Sequence, residues 1–142
     1  EEVERIASLA EELTSTGVHW TDDRAVRRPL VLGDILIIAP YNAQVAALAE
    51  RLPGAHVGTV DKFQGQEAPV VIFSLTTSTP EDAPRGMDFL YSLNRLNVAV
   101  SRARTASILV GSPRLFEPEC HSPAQMRLAN GFCRYLELAT RV

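Results

Sequence analysis

Residues 35–40 read ILIIAP, a continuous apolar run that is rich in β-branched side chains and ends at a proline. A short run that is apolar at every position predicts a strand that is covered on both faces. Apolar residues then recur at helical spacing, at Val45, Leu48, Ala49 and Leu52. We therefore predict a strand followed by a helix, which is the repeating unit of a parallel α/β sheet.

The same alternation continues toward the C-terminus. The patterns there predict strands at 56–60, 70–75 and 107–110, a helix at 93–103, a helical turn at 113–116 and a Ser122-capped helix over 123–139. Strands that alternate with helices imply a mainly parallel sheet with helices on both faces. Ligands of such sheets bind at the carboxyl ends of the strands, so we expect chemistry in the loops after residues 39, 60, 75 and 110.

The first part of the chain has a different pattern. Apolar residues at three- and four-residue steps predict an amphipathic helix over 2–16 that stops at Gly17. Residues 18–33 lack a sustained period and are predicted to form a connection with a short hairpin near residues 21–24. We interpret Trp20 as a packing lid over the core rather than a base-stacking platform.

The composition is that of one folded domain. Of 142 residues, 46% are hydrophobic and 22% are charged, which excludes a disordered chain. No fully apolar run exceeds six residues and the chain begins with acids, so neither a membrane span nor a signal peptide is expected. We predict a soluble, cytoplasmic, single domain over 1–142, made of a helix and connection (1–33) and a sheet (34–142), with no membrane partner. Since residue 1 is not Met, we expect a piece of a longer protein.

Several kinds of site are excluded. Lys62 is the only lysine and is not preceded by glycine, so the chain has no Gly-Lys-Ser/Thr phosphate loop, the Walker A motif. No Gly-x-Gly-x-x-Gly fingerprint occurs, and Ser101 is not in a Gly-x-Ser-x-Gly elbow. The histidines and cysteines do not have metal-ligand spacing, so we predict no metal site and interpret Cys120 and Cys133 as reduced thiols.

Positive charge is concentrated in one stretch although the net charge is −3. Thirteen of the 14 basic residues are arginines, and between residues 89 and 116 the only charged residues are Arg95, Arg102, Arg104 and Arg114. Such a stretch is either a solvated face that acids elsewhere neutralise or an anion site. Arg95 and Arg102 are seven residues apart. On a helix they lie within roughly 20° of each other while Arg104 points away, which favours a phosphate site.

A second polar cluster lies between two predicted strands. Residues 58–67 (GTVDKFQGQE) concentrate hydrogen-bonding side chains and two glycines in a short connection. Gly65 would let the backbone approach a ligand closely, and Glu67 is suited to accept hydrogen bonds from a sugar hydroxyl. From the residues alone, an ordinary irregular polar loop is an equally good interpretation.

Three segments together resemble helicase motifs IV, V and VI of superfamily 1, namely residues 38–44 (IAPYNAQ), 58–67 and 93–104 (LNRLNVAVSRAR). The resemblance covers about residues 34–111 and is greatest to the branch with the nonsense-mediated-decay helicase and the replication helicase-nucleases. Residues 90–104 look most similar to bacterial proteins that join a nuclease-like domain to such a helicase. The resemblance implies a RecA-like fold of the P-loop NTPase type, here as the second of two such domains. The family's Gln-Tyr-Arg-Met segment does not occur in this sequence.

The resemblance also implies roles for individual residues. Arg102 matches the arginine finger that reaches the γ-phosphate, and Gln64 matches the residue that links the nucleotide and nucleic-acid sites. Gly65 and Glu67 match contacts to the γ-phosphate and the ribose, and we expect Arg95 to join Arg102 in binding the nucleotide. The positions that match contacts to the nucleic-acid strand are Pro40, Tyr41, Gln44 and Thr59.

Three hypotheses follow. The first is the C-terminal RecA-like domain of an ATP-dependent DNA helicase, whose partners are a single strand, DNA rather than RNA, and the N-terminal RecA-like domain of the same parent. That missing domain would bind most of the ATP and Mg²⁺, so the isolated chain is predicted to be inactive. The second is a non-enzymatic module that docks nucleic acid or protein. The third, a stand-alone nucleotide-binding protein, is disfavoured because the phosphate loop is absent.

Overall fold

The apolar run at residues 35–40 forms an inner strand of a parallel sheet in a computed structural model that describes all 142 residues. The strands are β1 (His19–Thr21), β2 (Arg27–Pro29), β3 (Ile35–Ile38), β4 (His56–Gly58), β5 (Ala68–Ser74) and β6 (Ala103–Val110). The helices are α1 (Glu2–Leu13), α2 (Asn42–Arg51), α3 (Met87–Leu90), α4 (Leu93–Ser101) and α5 (Pro123–Leu138). Short 3₁₀ turns occupy Leu32–Asp34, Val60–Phe63 and Pro113–Phe116.

The main sheet has the strand order β4-β3-β5-β6, and all of its strands are parallel. Every residue of β3 and β5 is buried, because alternate side chains enter a separate core on each face. Ile35 and Ile37 pack with α1 and α2, whereas Leu36 and Ile38 pack on the face that carries α3, α4 and α5. The predicted α/β architecture, with helices on both faces of a parallel sheet, is therefore confirmed.

The predicted hairpin is present and consists of β1 and β2. Its turn is organised by Asp22, whose carboxylate accepts hydrogen bonds from the backbone N–H groups of Arg24 and Val26 and from Arg28 Nε, each at 2.9 Å. These bonds, the one from Val26 foremost, hold the pKa of Asp22 below its ordinary value. Trp20 is half-buried against the α1 face of the core, in agreement with its interpretation as a packing lid.

Three predicted elements near the cleft have different limits in the structure. The helix predicted over 93–103 ends at Ser101, and the strand predicted at 107–110 begins at Ala103. The backbone N–H of Ala68 donates to the carbonyl of Arg102 at 2.9 Å, so hydrogen bonding between the strands starts at the residue after the helix. The strand predicted at 56–60 likewise ends at Gly58, where the 3₁₀ turn follows.

The remaining chain closes over the α4 face. The α5 helix begins with Ser122, whose hydroxyl accepts a hydrogen bond from the backbone N–H of Gln125, and with Pro123 at its first turn. Cys120 and Cys133 are both free and half-buried. No helix is both long and apolar enough to span a bilayer.

Tyr91 provides a test of the core on this face. It is 1% exposed, and its hydroxyl donates to the carbonyl of Leu115 at 2.5 Å. Burial raises the pKa of Tyr91, because the phenolate is disfavoured away from water. We expect Tyr91→Phe to lower the free energy of unfolding by about 1–3 kcal/mol, since the carbonyl of Leu115 would stay buried without a donor.

Urea titration of both proteins measures this difference. Tyr135→Phe is the matched control, because its hydroxyl donates to the carbonyl of Ser107 at 3.2 Å from a half-buried position where water can replace it. A loss in Tyr91→Phe no larger than in Tyr135→Phe would contradict the expectation.

Candidate anion-binding site on helix α4

One face of α4 lines a cleft of about 260 Å³. The opposite side of the cleft is formed by the turn that follows β4, which contributes Val60, Asp61 and Gln64. The helix contributes two arginines, Arg95 and Arg102, and six of the eight lining residues are polar. The cleft therefore presents guanidinium groups opposite an amide, a combination suited to an oxyanion.

The two arginines share the cleft because helical geometry persists beyond the last residue of α4. Arg102 has φ −79° and ψ −16°, which are helical values, so the seven-residue spacing from Arg95 keeps both on one face. Ser92 supports the first turn, where its hydroxyl accepts a hydrogen bond from the backbone N–H of Arg95 at 3.4 Å. The prediction that Arg95 and Arg102 lie together is confirmed.

The electrostatics of the cleft are those of an unneutralised cationic site. Neither Arg95 nor Arg102 makes an ion pair, although Asp61 is in the same cleft. The Nε atom of Arg102 is buried and has no hydrogen-bond partner. A buried donor without an acceptor is costly, and bonds within the chain do not account for this one.

The cleft lies only partly where the loop argument placed it, because the turn after β4 lines it but Arg102 does not belong to any of the named loops. The α4 helix connects β5 to the parallel strand β6, so it runs from the carboxyl edge of the sheet back to the amino edge. Arg102 is at the amino edge, because its carbonyl accepts the hydrogen bond from Ala68 at the start of β5. Arg102 thus lies outside the loops after residues 39, 60, 75 and 110, whereas the turn after residue 60 is part of the cleft.

The other residues of the polar loop are outside the cleft. Gly65 is exposed with φ +77°, and no atom lies within 4 Å of where a Cβ would be. Glu67 is exposed and lies 3.9 Å from Arg104 Nε. Gly65 and Glu67 do not line the cleft, and their contacts to a nucleotide remain predictions.

Arg104 points away from the cleft, as predicted, but for a different reason. It lies in β6 rather than in a helix, and its NH2 group is 2.8 Å from Asp23 Oδ2. The pair joins the hairpin to the amino edge of the sheet. The Asp23 pKa is lowered, first by a hydrogen bond to its own backbone and then by Arg104.

The four residues matched to strand contacts gather elsewhere, around the carboxyl ends of β3 and β4. Pro40 is buried directly after β3, and Thr59 precedes the 3₁₀ turn after β4. Tyr41 stacks on Phe89 with 5.4 Å between ring centres, and Gln44 Nε2 donates to the hydroxyl of Ser74 at 3.2 Å. None of the four lines the α4 cleft.

Sequence reasoning missed several neighbours of these residues. Asn94 lines the cleft, and the guanidinium carbons of Arg85 and Arg95 lie 4.1 and 3.9 Å from the centre of the Phe89 ring. The four-residue spacing of Arg85 and Phe89 was the available signal. It was obscured because Gly86 interrupts the segment and α3 has only four residues.

No group of three or more histidine, cysteine or carboxylate side chains is arranged to hold a metal ion. The chain's only lysine is also committed to the fold, since Lys62 Nζ donates to the carbonyl of Val57 at 2.8 Å. Its side chain packs over Gly58, where a Cβ would come within 2.4 Å of it. Positive charge in the cleft is therefore carried by guanidinium groups alone.

A parallel four-stranded sheet between two helix layers is an α/β architecture consistent with a RecA-like domain. The family described as "AAA domain" matches residues 1–114. The chain belongs to this family, the C-terminal part of superfamily 1 helicases. The match includes α1 and the hairpin, so it extends beyond residues 34–111, where the sequence resemblance was recognised.

Curated relatives carry helicase names. An uncharacterized ATP-dependent helicase of Caenorhabditis elegans is 42% identical over 87 residues, which are 60% of this chain and 5% of the relative. A probable RNA helicase of Drosophila melanogaster is 41% identical over 101 residues, 64% of this chain and 8% of the relative. A DNA replication ATP-dependent helicase/nuclease of Arabidopsis thaliana is 32% identical over 111 residues, 77% and 7% respectively. The chain spans less than a tenth of these relatives.

The cleft predicts a measurable response to a simple anion. We expect inorganic phosphate to raise the Tm of the chain, by about 3–5 °C at ten times its Kd, because binding to the folded state adds RT ln(1 + [L]/Kd). Arg102→Ala removes the unpartnered donor and is expected to lose most of this shift.

Thermal unfolding at constant ionic strength measures the effect. Phosphate also stabilises proteins by exclusion from their surfaces, and this contribution is common to all variants. Arg104→Ala, which removes an equal charge outside the cleft, is the control and should keep the shift. Equal shifts in the wild type and in Arg102→Ala would show that the cleft binds no anion.

Proposed function

We propose that this chain is the C-terminal motor domain of an ATP-dependent helicase and completes the ATP site with an arginine finger, Arg102. The observation that carries the proposal is the buried, unpartnered Nε of Arg102 in a cleft shared with Arg95 and Gln64. Phosphoryl transfer depends mainly on positioning and on charge neutralisation, and an arginine from a neighbouring domain supplies both. The family membership and the helicase names of the relatives support this assignment.

The donor set fits the phosphates of ATP but not the metal. Two guanidinium groups without carboxylate partners suit an outer phosphate, for which Gln64 offers a further polar contact. The chain has no acidic cluster for Mg²⁺. We assign Mg²⁺ and most of the ATP contacts to an N-terminal RecA-like domain of the same parent, whose phosphate loop this chain lacks. Gly65 and Glu67 do not line the cleft, and their contacts to the nucleotide are proposed from the resemblance alone.

The substrate of the parent is proposed to be single-stranded DNA rather than RNA. Relatives are named both as DNA helicases and as a probable RNA helicase, so a helicase substrate is supported in general terms. Pro40, Tyr41, Gln44 and Thr59 are proposed to contact the strand backbone. The similarity of residues 90–104 to bacterial nuclease–helicase fusions favours a parent of that kind, located in the cytoplasm.

A non-enzymatic docking module is the alternative. Such a module has no need for an arginine whose donor is buried and unsatisfied, because an exposed arginine would serve a docking surface at lower cost. The Nε of Arg102 therefore favours the motor domain.

The decisive experiment compares arginine variants in the parent protein. We expect Arg102→Ala to leave ATP affinity nearly unchanged and to lower the hydrolysis rate by at least 10²-fold, because the finger acts mainly on the transition state. Arg102→Lys should recover little, since an ammonium group does not reproduce the planar fork. Arg104→Ala is the matched control and should retain most of the turnover, since Arg104 pairs with Asp23 outside the cleft. Normal hydrolysis by Arg102→Ala would remove the central residue of the proposal.

The chain alone is expected to be inactive. It has half of the site and no phosphate loop, so steady-state ATP hydrolysis should not exceed background, and nucleotide affinity should be no better than about millimolar. Hydrolysis that co-elutes with the chain in size-exclusion chromatography and disappears in Arg102→Ala would contradict the half-site assignment.

A further inference from the structure

Four side chains near the carboxyl end of β3 form a group that we call the Phe89 cluster: Tyr41, Arg85, Phe89 and Arg95. The guanidinium carbons of Arg85 and Arg95 lie over the Phe89 ring, 4.1 and 3.9 Å from its centre. The Tyr41 ring stacks on the same phenyl group at 5.4 Å and 28°. One aromatic ring thus holds two cations and a phenol in fixed orientations.

The two arginines have no neutralising partner. No carboxylate lies within ion-pair distance of Arg85 or Arg95, whereas Arg28, Arg51 and Arg104 all pair with acids. Stacking uses the flat face of a guanidinium and leaves its N–H donors free around the edge. Neither guanidinium group donates a side-chain hydrogen bond within the chain. Both groups are therefore held in a fixed orientation with their N–H donors free.

The Tyr41 hydroxyl is a third unused donor. It is shielded from solvent and has no hydrogen-bond partner. Burial raises its pKa, while the charges of Arg85 and Arg95 act in the opposite direction, which places both cations within electrostatic reach of the phenol. A hydroxyl beside two free guanidinium groups lacks an acceptor, and an anion is the acceptor that suits all three.

The backbone at Arg85 adds an independent observation. Arg85 has φ +64°, a left-handed conformation that side chains other than glycine rarely adopt. Gly86 follows at φ +81°, so the chain keeps an arginine at the first of two consecutive left-handed positions. The conformation brings the arginine over Phe89, four residues further on.

We propose that the Phe89 cluster binds a backbone phosphate of a single nucleic-acid strand, with Arg85, Arg95 and the Tyr41 hydroxyl as donors. This inference rests on the proposed function, because it identifies one contact of the strand track and adds Arg85 to it. The combination of a cation with stacked aromatic rings suits a strand that is bound without regard to sequence. A strand is favoured over the nucleotide because Tyr41, Arg85 and Phe89 do not line the cleft that contains Arg102.

The test measures how binding of a fluorescently labelled oligodeoxythymidylate depends on salt. For single strands, the slope of log K against log salt concentration is about −0.7 for each phosphate contact. We expect Arg85→Gln to raise the Kd at low salt three- to tenfold and to make the slope shallower by about 0.7. Tyr41→Phe should raise the Kd by a smaller factor with the slope unchanged, because it removes a donor without removing a charge.

Arg24→Gln is the matched control, since it removes the same charge from the hairpin turn at the opposite edge of the sheet. Urea midpoints of all variants establish that each is folded. The proposal is overturned if Arg85→Gln and Arg24→Gln have the same slope while the wild type binds the oligonucleotide, and in that case the proposed helicase function still stands. It is also overturned if Arg85→Gln weakens ATP binding by the parent protein, because the cluster would then belong to the nucleotide site. Absence of oligonucleotide binding by the wild type at low salt would refute both this contact and the proposed strand partner.

Discussion

The pairing of Ile37 with Ile72, both fully buried in adjacent parallel strands, is the constraint on which the structure depends. Strands that are apolar on both faces can be buried only between two helix layers, and parallel strands can be joined only by crossovers. The α4 helix is one of these crossovers. It buries Leu96 and Ala99 against the sheet and therefore turns its arginines toward the turn after β4. The position of the cleft follows from the burial of the sheet.

The fold could be predicted because its central strands are continuous apolar runs. That Arg95 and Arg102 share one face could also be predicted, because helical geometry persists between them. The beginning of β6 could not be predicted from an apolar pattern, because Arg104 and Thr105 are exposed polar residues. Backbone hydrogen bonds to β5 hold this part of the strand. The separation of Glu67 from the cleft also escaped prediction. Glu67 immediately precedes β5, and the pairing of that strand with β6, invisible in local sequence, leaves it at the amino edge beside Arg104.

Two sets among the 13 arginines have different physical roles. Arg28, Arg51 and Arg104 form ion pairs with acids at distances of 2.8–3.0 Å. Such surface pairs contribute little to the free energy of unfolding, so their main effect is to orient the arginine side chains. The arginines of the cleft and the Phe89 cluster, namely Arg85, Arg95 and Arg102, instead form no ion pair. Because a fold gains nothing from leaving their donors unused, the second set is where ligand chemistry is to be sought.

Arg95 belongs to both of the unneutralised groups, and this has a consequence for how the domain would work. It lines the cleft with Arg102 and also lies over Phe89, which stacks on Tyr41. A guanidinium can turn its donors toward only one anion at full strength, so an anion that draws Arg95 toward Arg102 changes the donors left for Arg85 and Tyr41. Two sites that share one side chain are coupled in free energy, and the coupling acts equally in both directions. In the motor domain proposed above, a grip on the strand that alternates with the nucleotide state requires a coupling of this kind, and Arg95 would provide the physical connection.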